Sequence, residues 1–277
     1  MIGKLKRHEF EKIRNLLTSV CGITLQDSQN YLVETRLHEL ANEIGVSTFD
    51  ELYGRMRADR SLLAKVVDLM TTNETLWFRD DSCWITLKEV IVPSLIRKLD
   101  DGCRRIRIWS AASSTGQEPY SLAMLIKELL ESQGKSAYFK CFSILGTDIS
   151  NEAIFLAKRG IYSPQIISRG LSERRLARYF TKERKSFRIV DEIRSSVEFR
   201  NFNLMDSFVF LGRFDLVLCR NVAIYFSNAF KTELFEKIGR VLVPNGYLML
   251  GATESLIGIK NSYANRSHGN GLYYSLG

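Results

Sequence analysis

The stretch Arg105–Met124 reads RIRIWSAASSTGQEPYSLAM, and its reading decides the fold. Ile106, Ile108 and Trp109 make a short apolar run that stops at a cluster of small residues, and Pro119 then opens a run of helix formers. Strand, loop and helix in that order form the unit with which an α/β sheet binds a cofactor. The loop Ala111–Gln117 has no bulky side chain. Its backbone N–H groups and the helix start can therefore lie against a polar ligand, with Ser113, Ser114 and Thr115 as caps or donors. Gly116 is its one glycine, so neither the dinucleotide fingerprint nor the phosphate-cradling loop is met. Glu118 adds negative charge where a pyrophosphate would sit. A ligand carrying a cation suits this loop better.

Downstream, Cys141–Gly146 reads as a second strand ending at Thr147-Asp148, and Asn151–Arg159 as the helix after it. Alternation of this kind implies parallel pairing with right-handed crossovers. Asp148 then stands at the carboxyl edge, where an acid either accepts from ribose hydroxyls or caps the next helix. A helix is expected over Ser172–Phe180 and strands over Phe187–Val190 and Ser196–Phe202, the last landing on Asn203-Leu204. The run Phe214–Cys219, FDLVLC, is nearly all apolar, as a strand buried on both faces should be, and ends in Arg220-Asn221. Ala229–Leu242 reads as a helix, Pro244-Asn245-Gly246 as a tight turn, Tyr247–Leu250 as a strand and Gly271–Ser275 as a last one. Ser110, Asp148, Asn203 and Arg220-Asn221 thus fall along one carboxyl edge, where open α/β sheets place ligands. A sulfonium and an ammonium without phosphate, as in S-adenosylmethionine, would make Glu118 welcome there.

Upstream, apolar residues recur at three- and four-residue spacing in Phe10–Val20 and Tyr31–Ile44, with Gly22 and Gly45 as left-handed C-terminal stops. Two more helices follow, one after Ser47-Thr48 and one over Ser61–Met70, so residues 1–70 read as a helical bundle. The next stretch, TTNETLWFRD (71–80), offers polar groups that could line a site. They could equally cap a helix continuing through Trp84, Leu87 and Ile91. Arg79 fits the cap poorly because it lies past the first turn.

Five cysteines form no C-x-x-C pair and three histidines are scattered, so no metal-ligand spacing exists and the thiols read as reduced and cytosolic. No window approaches the ~18 apolar residues of a membrane span. The net charge of +8 is local: residues 1–70 hold ten basic against ten acidic residues, while residues 158–200 hold twelve against five. That surplus is either a solvated surface or a docking face for an acidic partner.

Six segments carry a closer resemblance: TTNETLWFRD (71–80), AASSTGQEPYSLAM (111–124), ILGTDIS (144–150), FRNFNL (199–204), FDLVLCRNVAIYF (214–226) and LVPNGYLMLGATESL (242–256). In order and spacing they resemble the signatures of the CheR family, the chemotaxis receptor glutamate O-methyltransferases. The resemblance implies an α/β, Rossmann-like methyltransferase domain (85–277) behind an N-terminal all-α domain (1–70) and a linker (71–84), with an inserted β subdomain at about 161–202. It implies S-adenosylmethionine as cofactor, S-adenosylhomocysteine as product and no metal. Asn73, Thr75 and Arg79 resemble the linker residues that close over the cofactor, and Glu118 the acid near its methionine part. Asp148 would hold the ribose, Asn203 and Leu204 surround the adenine, and Arg220 with Asn221 form the fourth-strand edge. Arg79 and Tyr225 resemble the pair beside the transferred methyl. The partner implied is the cytoplasmic helical region of methyl-accepting chemotaxis receptors, in the cytoplasm, with neither nucleic acid nor membrane insertion involved.

Two departures from the family pattern shape the expectations. The second helix of the bundle has Arg36 alone among Glu34, Glu39 and Glu43, so Arg55, Arg57 and Arg60, or the basic section after Lys158, would take part in receptor docking instead of that face. The loop Thr181–Ser186 is short and lacks glycine, unlike the loop with which some members grip a receptor C-terminal pentapeptide, so no such tether is expected. Two rivals remain, a methyltransferase acting on nucleic acid and a non-catalytic cofactor sensor.

Overall fold

In a computed structural model of the chain, describing residues 2–259 and 261–276, the first helices are α1 (Arg7–Cys21), α2 (Asn30–Glu43), α3 (Phe49–Ala58) and α4 (Arg60–Met70). Their periodic apolar faces, including Ile13, Leu17, Val33, Leu37, Leu52 and Val66, close a core of their own. Thr48 and Asp59 cap α3 and α4 by accepting from backbone N–H groups of the first turn. Gly22 ends α1 with φ of 75°, and a Cβ there would lie 2.7 Å from the Phe230 ring. One glycine therefore both stops the helix and lets the bundle approach the second domain.

The expected cap at residues 71–74 does not form. The chain stays non-helical to Asp80 (φ 67°), after which α5 (Asp81–Thr86) begins without a side-chain cap. Tertiary packing overrides the local preference: Trp77 is buried edge-on against Tyr162 and Phe180, centroids 5.0 and 5.3 Å apart, and its backbone N–H donates to Arg169 O. α5 passes through a π turn at Leu87–Ile91 into α6 (Val92–Asp100). Pro93 has no N–H to donate, and the wide turn before it absorbs the missing bond.

The second domain follows with β1 (Ile106–Ala111), α7 (Gln117–Ser132), β2 (Phe142–Asp148) and α8 (Asn151–Arg159). Next come β3 (Ile161–Tyr162), α9 (Pro164–Ile167), α10 (Glu173–Tyr179), β4 (Phe180–Glu183), β5 (Ser186–Ile189) and α11 (Asp191–Arg194). The chain closes with β6 (Val197–Asn201), β7 (Phe214–Cys219), α12 (Asn228–Val241), β8 (Leu242–Met249), β9 (Tyr263–His268) and β10 (Gly271–Leu276). Seven strands form one sheet in the order β6-β2-β1-β7-β8-β10-β9, parallel except for β10, which runs against both neighbours. A small antiparallel sheet, β3-β5-β4, stands apart. Ile106 and Ile108 face one apolar layer with α6 and α7, Trp109 and Ala111 the other with α12, so β1 is buried on both sides.

Three expectations need correction. Val197–Asn201 pairs with β2, starting at Ile144↔Val197, so the small sheet ends at β5 rather than extending to 202. Pro244–Gly246 is no turn between helix and strand: α12 runs straight into β8, and these residues bulge where the pairing jumps from Phe214↔Leu242 to Leu216↔Tyr247. Tyr263–His268 forms an edge strand that its polar composition did not announce. Among the described residues no helix is long and apolar enough to cross a membrane.

Candidate active site

A cavity opens at the carboxyl edge of the sheet, between the strand-end loops, the linker and the α1–α2 corner of the bundle. Asn73, Thr75, Arg79, Glu118, Asp148, Asn203, Leu204, Arg220, Asn221 and Tyr225 all line it. Sequence positions up to 152 apart thus converge on one space, because parallel strands deliver their ends to one edge.

The loop after β1 is wound tightly. Ala112, Ser114 and Gly116 hold φ of 58°, 49° and 95°, which turns successive N–H groups toward one another's side. Ser113 N–H donates to Thr147 O at 2.8 Å, and Ser114 N–H to Asp148 Oδ2 at 2.8 Å. Asp148 Oδ1 accepts from Ser150 N–H at 2.9 Å, so one carboxylate ties two loops together. Burial pushes the Asp148 carboxyl above its ordinary pKa, against the pull of those N–H donors. Ser114 Oγ donates to Asn73 O at 2.7 Å and Asn73 Nδ2 to Ser150 Oγ at 3.4 Å, which fastens the linker over the loop.

Glu118 does not stand free. Oε1 accepts from Ser110 Oγ at 2.7 Å and Oε2 from Arg220 Nη1 at 2.9 Å. The same guanidinium reaches Asp80 Oδ2 at 3.0 Å and Arg79 O, with its side chain only 2% exposed. Burial opposes the arginine's charge, but Glu118 foremost among its neighbours outweighs it and raises the pKa. Glu118 therefore shares its charge with Arg220 and keeps one lone-pair direction on each oxygen for a ligand. Arg220 braces the linker rather than merely edging the cavity.

Asn203 spends its side chain between domains: Nδ2 donates to Val20 O at 2.6 Å, and Oδ1 accepts from Met205 N–H at 3.0 Å. Leu204 is buried beside it. Asn221 (φ 58°) leads into the 3-10 turn Ala223–Tyr225, and Tyr225 O accepts from Thr24 N–H at 2.9 Å. Among the described residues the Arg79 guanidinium has one protein partner, Glu74 O at 3.5 Å, so most of its donors face open space.

Arg36 is a lining residue that sequence reasoning did not assign to the site. Its guanidinium caps the end of α4, donating to Met70 O at 2.9 Å and Thr71 O at 3.3 Å, and so sets where the linker departs. Its isolation among glutamates was the only available signal. Six arginines of the basic section are ion-paired: Arg169–Glu74, Arg175–Glu128, Arg178–Glu131, Arg188–Glu183, Arg194–Asp191 and Arg200–Glu198. Half of the section's twelve basic residues are thus held within the protein, three of them by acids outside the section. His8, Glu9 and Asp50 form an acidic cluster away from the cavity, where Glu9 caps backbone N–H groups and Lys12 neutralises Asp50.

The family model of the CheR methyltransferase all-alpha domain matches residues 8–71, and that of the CheR methyltransferase SAM binding domain matches residues 73–270. The chain belongs to the CheR family. It is 44% identical over 258 residues to the chemotaxis protein methyltransferase Cher2 of Pseudomonas putida, covering 92% of this chain and 93% of that one. With the chemotaxis protein methyltransferase of Vibrio parahaemolyticus it shares 39% over 271 residues, 97% and 96% of the two chains. This CheR protein is therefore an S-adenosylmethionine-dependent methyltransferase of chemotaxis. Its cavity suits that cofactor: two acids and a glycine-poor loop of backbone donors offer no phosphate cradle, and the buried Ser113 Oγ on the lining has no protein partner.

Proposed function

We propose that this CheR enzyme methylates glutamate side chains on the cytoplasmic helical region of chemotaxis receptors, giving methyl esters and S-adenosylhomocysteine. The observation that carries this reading is the underused Arg79 guanidinium in the same cavity as Tyr225 and the cofactor-suited loop. When bound, S-adenosylmethionine supplies an electrophilic methyl group on a sulfonium. A glutamate with a reference pKa of about 4.3 is already ionised at neutral pH, so no general base is needed. What the protein must contribute is alignment. Arg79 orients the incoming carboxylate by a charge-assisted hydrogen bond, and the Tyr225 hydroxyl fixes its second oxygen.

In the same reading Asn73 and Thr75 close over the cofactor, Asp148 takes the ribose and Glu118 the ammonium of the methionine part. Leu204 and the Asn203 backbone flank the adenine, since the Asn203 amide is engaged elsewhere. Asn221 borders the methionine end, with Arg220 bracing Glu118 beneath it. The raised pKa of Asp148 gives a pH signature. As pH falls, its carboxylate protonates at a higher pH than an ordinary aspartate, and cofactor affinity should begin to weaken there. Calorimetric Kd values across pH should show that onset in the wild type and its loss in Asp148→Asn.

No pentapeptide tether is part of the proposal. The hairpin between β4 and β5 turns through Arg184-Lys185, with Arg184 at φ 51°, leaving no extended loop to wrap a peptide. Calorimetry with a receptor C-terminal pentapeptide should give no binding at micromolar concentrations, and a micromolar Kd would contradict this. The rival readings receive less support. A nucleic-acid enzyme would need the basic section, half of whose arginines and lysines are ion-paired, and a sensor has no use for Arg79 and Tyr225 together. Incubating the enzyme with cofactor and a purified receptor cytoplasmic fragment tests the proposal. Peptide mass spectrometry should place the added methyl groups on glutamates, and methylation confined to other residue types would overturn it.

A further inference from the structure

The loop Gly251–Glu254, which follows β8, is bonded to the segments carrying both Arg79 and Tyr225. Its Ala252 N–H donates to Asp80 Oδ2 at 3.3 Å, next to Arg79. Glu254 Oε2 accepts from Asn221 N–H at 2.5 Å and Gly251 N–H at 2.9 Å. Asn221 is held at φ 58°, a left-handed backbone that an asparagine adopts at a cost and keeps only where its surroundings enforce it. Four residues later the 3-10 turn Ala223–Tyr225 delivers the tyrosine. Packing around the turn is tight: a Cβ on Gly251 would lie 2.6 Å from Asn221 Nδ2 and 2.9 Å from Glu254 Oε2.

Glu254 itself is 9% exposed, and its Oε1 meets no donor among the described residues. A buried carboxyl oxygen without a partner is unfavourable, so the side chain persists for what its other oxygen holds. That oxygen holds only the two backbone N–H groups, one of which belongs to the left-handed residue.

We infer that Glu254 is a positioning residue: by fixing the left-handed turn at Asn221 it sets where the Tyr225 hydroxyl meets the substrate carboxylate. The inference rests on the reading of Tyr225 given above. A displacement of about 1 Å in such a group costs on the order of a hundredfold in rate, so a lost acceptor at Glu254 should register in kcat. Glutamine keeps an oxygen for the two N–H groups, whereas leucine removes it.

The test is a set of kcat measurements with cofactor and receptor fragment saturating, on Glu254→Gln, Glu254→Leu, Gly251→Ala, Tyr225→Phe and the pairs with Tyr225→Phe. Glu254→Gln should stay within about threefold of wild type, and Glu254→Leu should lose roughly ten- to a hundredfold, no more than Tyr225→Phe loses. In the Tyr225→Phe background Glu254→Leu should cost less than about threefold, because residues acting as one unit are not additive. Gly251→Ala, whose Cβ would press on Glu254 Oε2 and the Asn221 side-chain amide while keeping the carboxylate, should repeat that pattern and serves if Glu254→Leu does not fold. Losses that multiply in both backgrounds, or wild-type kcat in Glu254→Leu and Gly251→Ala, would overturn the inference alone. Wild-type kcat in Tyr225→Phe would overturn the reading of Tyr225 and this inference with it.

Discussion

Arg79→Ala is expected to lower methyl transfer to receptor by about a thousandfold, the scale on which well-oriented groups repay alignment. The linker that carries Arg79 is anchored on both sides, by the burial of Trp77 against Tyr162 and Phe180 and by Arg220 donating to Arg79 O. The backbone is therefore fixed while the guanidinium, with a single 3.5 Å contact to Glu74 O, remains available to a carboxylate. Removing it leaves the cavity intact and deletes the guanidinium whose donors are least engaged by the protein. Tyr225→Phe should cost less, about ten- to a hundredfold, because it removes one neutral donor to the carboxylate whereas Arg79→Ala removes a full positive charge with several donors. Cofactor Kd should move less than about tenfold in Arg79→Ala and stay near wild type in Tyr225→Phe, placing both losses mainly in kcat. Full activity in Arg79→Ala would remove the assignment.

Arg220→Met should destabilise the protein by about 3–5 kcal/mol, the usual result of breaking a buried ion pair from one side. The side chain is 2% exposed, and its loss strands Glu118 and Asp80 together with the Arg79 carbonyl. Arg220→Lys should recover little, since a single ammonium cannot span two carboxylates as a planar fork does. Urea denaturation of the three proteins measures this. A loss below about 1 kcal/mol would mean that the brace is solvated rather than buried.

The parts legible in the sequence were those whose side chains answer to a single requirement. β1 and β7 are apolar on both faces because the sheet is covered on both, and the loop Ala112–Gly116 is small because the backbone winds through left-handed positions there. β9 escaped notice because an edge strand facing solvent needs no apolar alternation, as YANRSH shows. Residues 71–74 read as a cap because capping is a local rule, whereas their true partners, Ser114 and Ser150, lie 41 and 77 residues from Asn73. The partner of Glu118 was hidden for the same reason: Arg220 is 102 positions away, and the parallel order of β1 and β7 brings them within 2.9 Å. Topology places the edge residues, but how they pair among themselves depends on contacts across the whole chain that no local pattern encodes.

The most direct measurement is incubation with methyl-labelled S-adenosylmethionine and receptor-enriched membranes, followed by mild alkali. Glutamate methyl esters hydrolyse under those conditions, so the label should enter the receptor band, leave it as volatile methanol, and fail to appear with Arg79→Ala. Label that survives alkali, or that resides in nucleic acid, would contradict the account.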